Sequence, residues 1–127
     1  MMEEALRTLL RGHAPIAALV GTRVDWGLRP QAMALPAICL TVISDTPVNH
    51  TLDGPGPSQA RVQVDCFGAS YGSAKAVARA VRRILDAHRD ANFLGIFLAG
   101  ARDLTDEDGV STTHHVSMDF FVNYHFT

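Results

Sequence analysis

The spacing of apolar positions changes from three and four residues to two and back again, and this divides the chain into elements. Leu6, Leu9 and Leu10 form a stripe on a short helix over Glu3 to Leu10. Glu3 and Glu4 occupy its first turn, where the helix dipole favours acids. Gly12 ends it, and Pro15 opens a second short helix with Ile16, Leu19 and Val20 on its buried side and Gly21 as the stop. Arg23 to Trp26 reads as a short strand, followed by a connector with Pro30 and Pro36. In Ala37 to Ser44, Ile38, Leu40 and Val42 alternate with Cys39, Thr41 and Ile43, so both faces carry apolar groups and an interior strand is predicted. Asp45 to Gln59 holds Pro47, Pro55, Pro57, Gly54 and Gly56, which predicts a long irregular loop.

Ala60 to Phe67 alternates again, with Val62, Val64 and Cys66 on one face and Arg61, Gln63 and Asp65 on the other. Gly68 leads to Ser70, an N-cap for the longest helix, in which Ala74, Val77, Ala78, Val81, Ile84 and Leu85 share one side. Phe93 to Leu98 predicts a fourth strand, ending near an acidic turn with Asp103, Asp106, Glu107, Asp108 and Gly109. His115 to Phe126 predicts the longest strand. Val116, Met118, Phe120, Val122, Tyr124 and Phe126 lie on one of its faces; Ser117, Asp119, Phe121, Asn123 and His125 lie on the other. Strands cluster instead of alternating with helices. The expected fold is therefore α+β: a mostly antiparallel sheet of four to five strands, one long helix on one face, and short N-terminal helices.

Composition narrows the function. The 127 residues are 47% hydrophobic, enough for one domain spanning 1–127 with a real core. A net charge of −2 lacks the bulk signature of a nucleic-acid binder. The acidic start differs from a secretory signal, and the longest uncharged run, Gln31 to Ser44, is shorter than the roughly 18 apolar residues of a membrane span. A soluble cytoplasmic protein without membrane contact is expected. Cys39 and Cys66 are too few and too far apart for a disulfide scaffold or a zinc site, and read as reduced core residues.

Candidate chemistry is sparse. The sequence has six histidines, but His114 and His115 are neighbours on a strand and point to opposite faces. His115, Ser117 and Asp119 share a face and are the nearest approach to a hydrolase triad, without the turn-borne nucleophile and oxyanion hole such a site uses. Prolines interrupt the Gly54 to Pro57 loop and remove amides that a phosphate cradle needs. No catalytic residue, cofactor or metal ligand is assigned. Lys75, Arg79, Arg82 and Arg83 fall on the solvent side of the long helix, with Arg89 just beyond, which leaves a nucleic-acid-binding regulator using Lys75 to Arg89 as the main alternative and a small hydrolase as a lesser one.

Several segments, in order along nearly the whole chain, resemble one family: Gly21-Thr22-Arg23-Val24, Pro30-Gln31, Leu35-Pro36, Ala60-Arg61-Val62-Gln63-Val64-Asp65-Cys66, Tyr71, Ala74-Lys75 and Val116-Ser117-Met118-Asp119-Phe120. The chain is similar to tail-completion or tail-terminator proteins of long-tailed phages and prophages, a family also found in gene-transfer agents. The resemblance implies a structural subunit that forms a ring, commonly a hexamer, caps the tail tube and supports head-tail joining. Its implied partners are its own copies, the tube protein and head-tail connector proteins, with at most transient DNA contact. The implied location is the bacterial host cytoplasm during assembly, then the tail of a virion or phage-like particle.

The expected interface is one strand face carrying Arg61, Gln63, Asp65, Phe121, Asn123 and His125, with Thr46 to Gln59 reaching a neighbour or the tube. A second expected contact sets the basic helix residues Lys75, Arg79, Arg82 and Arg83 of one subunit against Asp106, Glu107 and Asp108 of the next. Reversing Arg82 and Arg83 to Glu is then expected to weaken assembly. Solution mass at low salt measures this, and an unchanged mass counts against the contact.

Overall fold

In a computed structural model, which describes residues 2–27, 35–47, 56–107 and 112–125, these stretches become three helices and five strands. The helices are α1 (Met2–Gly12), α2 (Ala14–Val20) and α3 (Tyr71–Leu85). The strands are β1 (Val24–Trp26), β2 (Ala37–Pro47), β3 (Pro57–Gly68), β4 (Gly95–Glu107) and β5 (Thr112–His125). One sheet contains all five in the order β1-β2-β3-β5-β4. Only β1 and β2 run parallel; every other neighbouring pair is antiparallel. The α+β class expected from the clustered strands is the class observed.

Register explains the single core. Ile38 and Leu40 of β2 stand opposite Cys66 and Val64 of β3, which stand opposite Val116 and Met118 of β5. Period-two alternation thus collects these side chains on one face. The buried stripes of the helices meet them there: Leu6 and Leu10 of α1, Ile16 and Val20 of α2, and Val77, Val81 and Leu85 of α3. Each large aliphatic side chain so buried contributes roughly 1.5 to 3 kcal/mol. Leu19 and Ile84 sit at the margin and are only half-buried.

Local chemistry places the helices. Gly21 has φ of 61°, a conformation that costs glycine nothing, and its N–H donates to Ala17 O as α2 ends. The Ser70 hydroxyl accepts the Ser73 N–H at 3.1 Å and caps α3 as the sequence predicts. Gly68 is required by close packing, since a Cβ there would lie 2.5 Å from Ala74 N. The Arg23 Nε donates to Pro36 O at 2.8 Å and ties the residue before β1 to the start of β2.

Three expectations need correction. The irregular loop begins too early and ends too late, because Asp45–Pro47 and Pro57–Gln59 are paired strand, with Pro47 opposite Ser58. Proline is tolerated at these places because one opens a strand and the other lies on an open edge; residues 48–55 lie outside the described residues. The acidic turn is also largely strand, since Asp103, Asp106 and Glu107 pair with Val116, Thr113 and Thr112. Pairing along the long β5 overrides the poor strand propensity of these acids. Asp108 and Gly109 lie outside the described residues, as does Phe126. Finally, β2 is interior only over its first half. Residues 37–40 are buried beside β1, whereas Thr41 to Pro47 extend past the three-residue β1 and are exposed.

Val81 is fully buried where α3 meets the sheet. Val81→Asp would bury an unpaired carboxylate and is expected to cost at least about 3 kcal/mol. The urea unfolding midpoint measures it.

Candidate functional site

The face of the sheet opposite the helices gathers the polar residues of three strands. From β3 come Arg61, Gln63 and Asp65; from β5, His115, Ser117, Asp119, Phe121 and Asn123; from β4, Phe97 and Arg102. The register places Arg61 opposite Phe121, Gln63 opposite Asp119 and Asp65 opposite Ser117. The charged contacts run diagonally across this ladder.

Asp119 is a nearly buried carboxylate held by two arginines. The Arg61 Nη2 lies 2.9 Å from its Oδ2, and the Arg102 Nη1 lies 3.7 Å from the same oxygen. The Arg61 guanidinium also stands 5.9 Å over the Phe121 ring, which gives the aromatic residue of this face a partner. One step along β3, Asp65 accepts from Gln63 at 3.0 Å and pairs with His115 Nε2 at 2.8 Å. The His115 ring stacks on Phe67 with centroids 4.4 Å apart. Burial alone would raise the Asp65 pKa. Hydrogen bonding, led by His115 and then Gln63, outweighs that effect and holds the carboxyl below its ordinary 3.8. At the far end of the face, Gln59 donates to Asn123 Oδ1, and Asn123 donates to Gly95 O, each at 3.1 Å.

The expected interface residues therefore separate into three places. Arg61, Gln63, Asp65, Phe121 and Asn123 share the face that the alternation predicts, with exposed His125 at the end of β5. Arg79, Arg82 and Arg83 lie exposed on α3, across the molecule. Asp106 and Glu107 occupy the end of β4, and Asp108 is outside the described residues. Lys75 lies 2.9 Å from Asp103 of its own chain, and Tyr71 donates to the same carboxylate at 3.0 Å. The hydrogen bond to Asp103 raises the Lys75 pKa and lowers that of Asp103. One member of the basic stripe and one acid of the predicted turn thus already meet within a single chain. Sequence reasoning missed this contact, as it missed the pairs Arg61–Asp119 and Asp65–His115. Opposite charges on the same faces of strands were visible, but only strand order says which ones become neighbours.

The triad-like set does not converge on a pocket. His115 pairs with Asp65, while Asp119 is occupied by arginines. A cavity of about 220 Å³ among the described residues lies elsewhere, bordered by Met2, Glu3, Asp45, Phe93, Tyr124 and His125. There the Tyr124 hydroxyl donates to Asp45, and burial together with that carboxylate pushes its pKa up to about 12.

Because the folded Asp65 carboxyl titrates below its unfolded value, it stabilises the fold above pH 3.8, and this contribution is lost as pH falls through the lower folded value. Asp65→Asn is expected to cost about 1 to 3 kcal/mol at pH 7. The gap to the unsubstituted chain should close only in strong acid, as read from urea unfolding between pH 7 and pH 2.

Among curated proteins none matches the chain. A solved structure described as the virion of a native gene transfer agent particle contains a chain of similar fold. It has 19% sequence identity and a TM-score of 0.70, with 95% of this chain and 92% of that chain covered. The family of tail completion protein gp17 matches residues 4–125, which span every strand and helix above apart from the edge of α1. This chain belongs to the tail completion protein gp17 family.

Proposed function

We propose that the chain is a tail-completion or tail-terminator subunit whose copies form a ring at the end of the tail tube, where the ring also receives the head-tail connector. The family match over residues 4–125 carries this reading, and the likeness of fold to a chain of a virion particle supports it. The subunit meets the tube protein on one side and connector proteins on the other. It acts through surface shape and catalyses nothing. It is made in the bacterial host cytoplasm and ends in the tail of a virion or phage-like particle.

The polar sheet face suits such a role. Asp119 is paired with arginine and Asp65 is hydrogen-bonded within their own chain, which lowers the cost of covering them with a neighbouring surface. Arg79, Arg82 and Arg83 remain outward on α3 and are available to an acidic neighbour or, briefly, to passing DNA. A DNA-binding regulator is less well supported, because Lys75 is engaged by Asp103.

Particles made without this protein are expected to show over-long tails, or tails without heads, in electron micrographs. Tails of normal length joined to heads would overturn the proposal.

A further inference from the structure

The two sides of the sheet end in strands that are only partly covered. In β2, the Ile38 N–H donates to Arg23 O and the Leu40 C=O accepts from Gly27 N–H, so these residues turn their backbone groups outward. Val42 continues that alternation, but β1 ends at Trp26. Among the described residues none bonds to the outer edge of β2 beyond Leu40. On the opposite side, the outer edge of β4 is closed at its start. His88 O accepts the Ile96 N–H at 3.0 Å, and Asp86 Oδ1 accepts the Leu98 N–H at 3.1 Å. After the register shift between Leu98 and Gly100, no described residue bonds to this edge.

Pro47 and a bulge interrupt the β2 stretch and a bulge precedes the β4 stretch, but outward charge protects little of either. Proteins blunt edges with outward charges, especially lysine. Thr41 to Pro47 contains one charge, Asp45, and it is taken by the Tyr124 hydroxyl. On β4, Arg102 turns to Asp119 and Asp103 to Lys75. The exposed apolar residues point the same way. Among the described residues, six large hydrophobic side chains are between 36% and 52% exposed. Val42 and Ile43 belong to β2, Phe97 and Leu104 to β4, and Leu94 immediately precedes β4; Tyr71 alone lies elsewhere.

The two edges are complementary to each other. β2 opposes β3, β3 opposes β5 and β5 opposes β4, so β4 runs antiparallel to β2. A copy placed beside the first in the same orientation presents its β4 edge to β2 in antiparallel sense. We propose that copies of this chain join edge to edge, with Thr41–Pro47 of one subunit paired to the Ala99–Leu104 stretch of the next. The sheet then continues from subunit to subunit. The open part of β4 lies level with β1, whereas the open part of β2 lies beyond it, so the pairing staggers neighbours along the strand direction. Tilted strands closing around an axis have such a stagger. Because both edges of each copy are used head to tail, the contact propagates, and it closes into a ring when the rotation between neighbours is a whole fraction of a turn. This inference rests on the ring reading above and specifies its contact.

Solution mass over a concentration series, with paired cysteine variants and proline variants, tests it. Val42→Pro and Ala101→Pro each remove an outward N–H without removing a bond inside the sheet, and each is expected to weaken assembly at least tenfold while circular dichroism stays unchanged. Val42→Cys mixed under mild oxidation with Cys variants at successive positions from Ala99 to Leu104 is expected to form a disulfide-linked pair with one or two of them. That result requires no proline variant to fold. Assembly of the unsubstituted chain without any mixed cross-link overturns the edge contact and leaves the ring reading standing. Cross-linking of a single variant to itself means two-fold pairing of like edges and also overturns the edge contact. A chain that stays monomeric at every concentration overturns both.

Discussion

The β3–β5 ladder is the constraint on which the rest depends. From Pro57 opposite His125 to Gly68 opposite His114 it runs without a register shift, whereas the β2–β3 and β4–β5 ladders each contain one. A slip of one residue in this central pairing would turn one strand over against the other, taking either Val62 and Val64 or Phe120 and Val122 away from the helices and pushing either Arg61 and Asp65 or Asp119 into the core. The same pairing that seals the hydrophobic layer therefore sets the geometry of the polar one.

The polar layer is unusual in carrying two nearly buried carboxylates on a face without a helix. A lone buried carboxylate costs several kcal/mol. Asp119 avoids this through Arg61 and Arg102, and Asp65 through His115 and Gln63. Each cluster joins neighbouring strands or neighbouring turns of one strand. The outcome is a face whose carboxylates each meet a partner within the chain, although the Ser117 hydroxyl and Asp119 Oδ1 have none among the described residues, and it is flanked by Phe67, Phe97 and Phe121. On the proposed reading, this is a face that another surface covers.

The family assignment gives this arrangement a purpose. On the proposed reading, the surfaces for repeated contacts lie on different sides: the polar face, the arginines of α3, and two strand edges on opposite margins of the sheet. In that reading, their separation lets a subunit bind its copies laterally and other components above and below. The bulge in β4 falls where that strand passes from a covered to an uncovered course, and the bulge in β2 falls within its uncovered part, just beyond the last residues paired with β1.

Much of this was legible in the sequence because it depends on local periodicity. The stripe from Ala74 to Leu85, the Ser70 cap, the Gly21 stop and the alternation around Val64 and Phe120 each reflect which side of a single element faces oil or water, a choice made within a few residues. The order of elements and the family resemblance follow from the same linear record. Other features arise from partners distant in the chain. That Asp45 to Pro47 and Asp103 to Glu107 are strand, and not loop or turn, follows from ladders formed with β3 and β5, whose pairing energy exceeds the weak preferences of proline and aspartate. That Lys75 meets Asp103, Arg61 meets Asp119, and Asp65 meets His115 follows from strand order, which brings together residues 28, 58 and 50 positions apart. Only the tertiary structure decided which charges are already paired and which edges remain open, because both depend on the distance between elements and not on the residues within them.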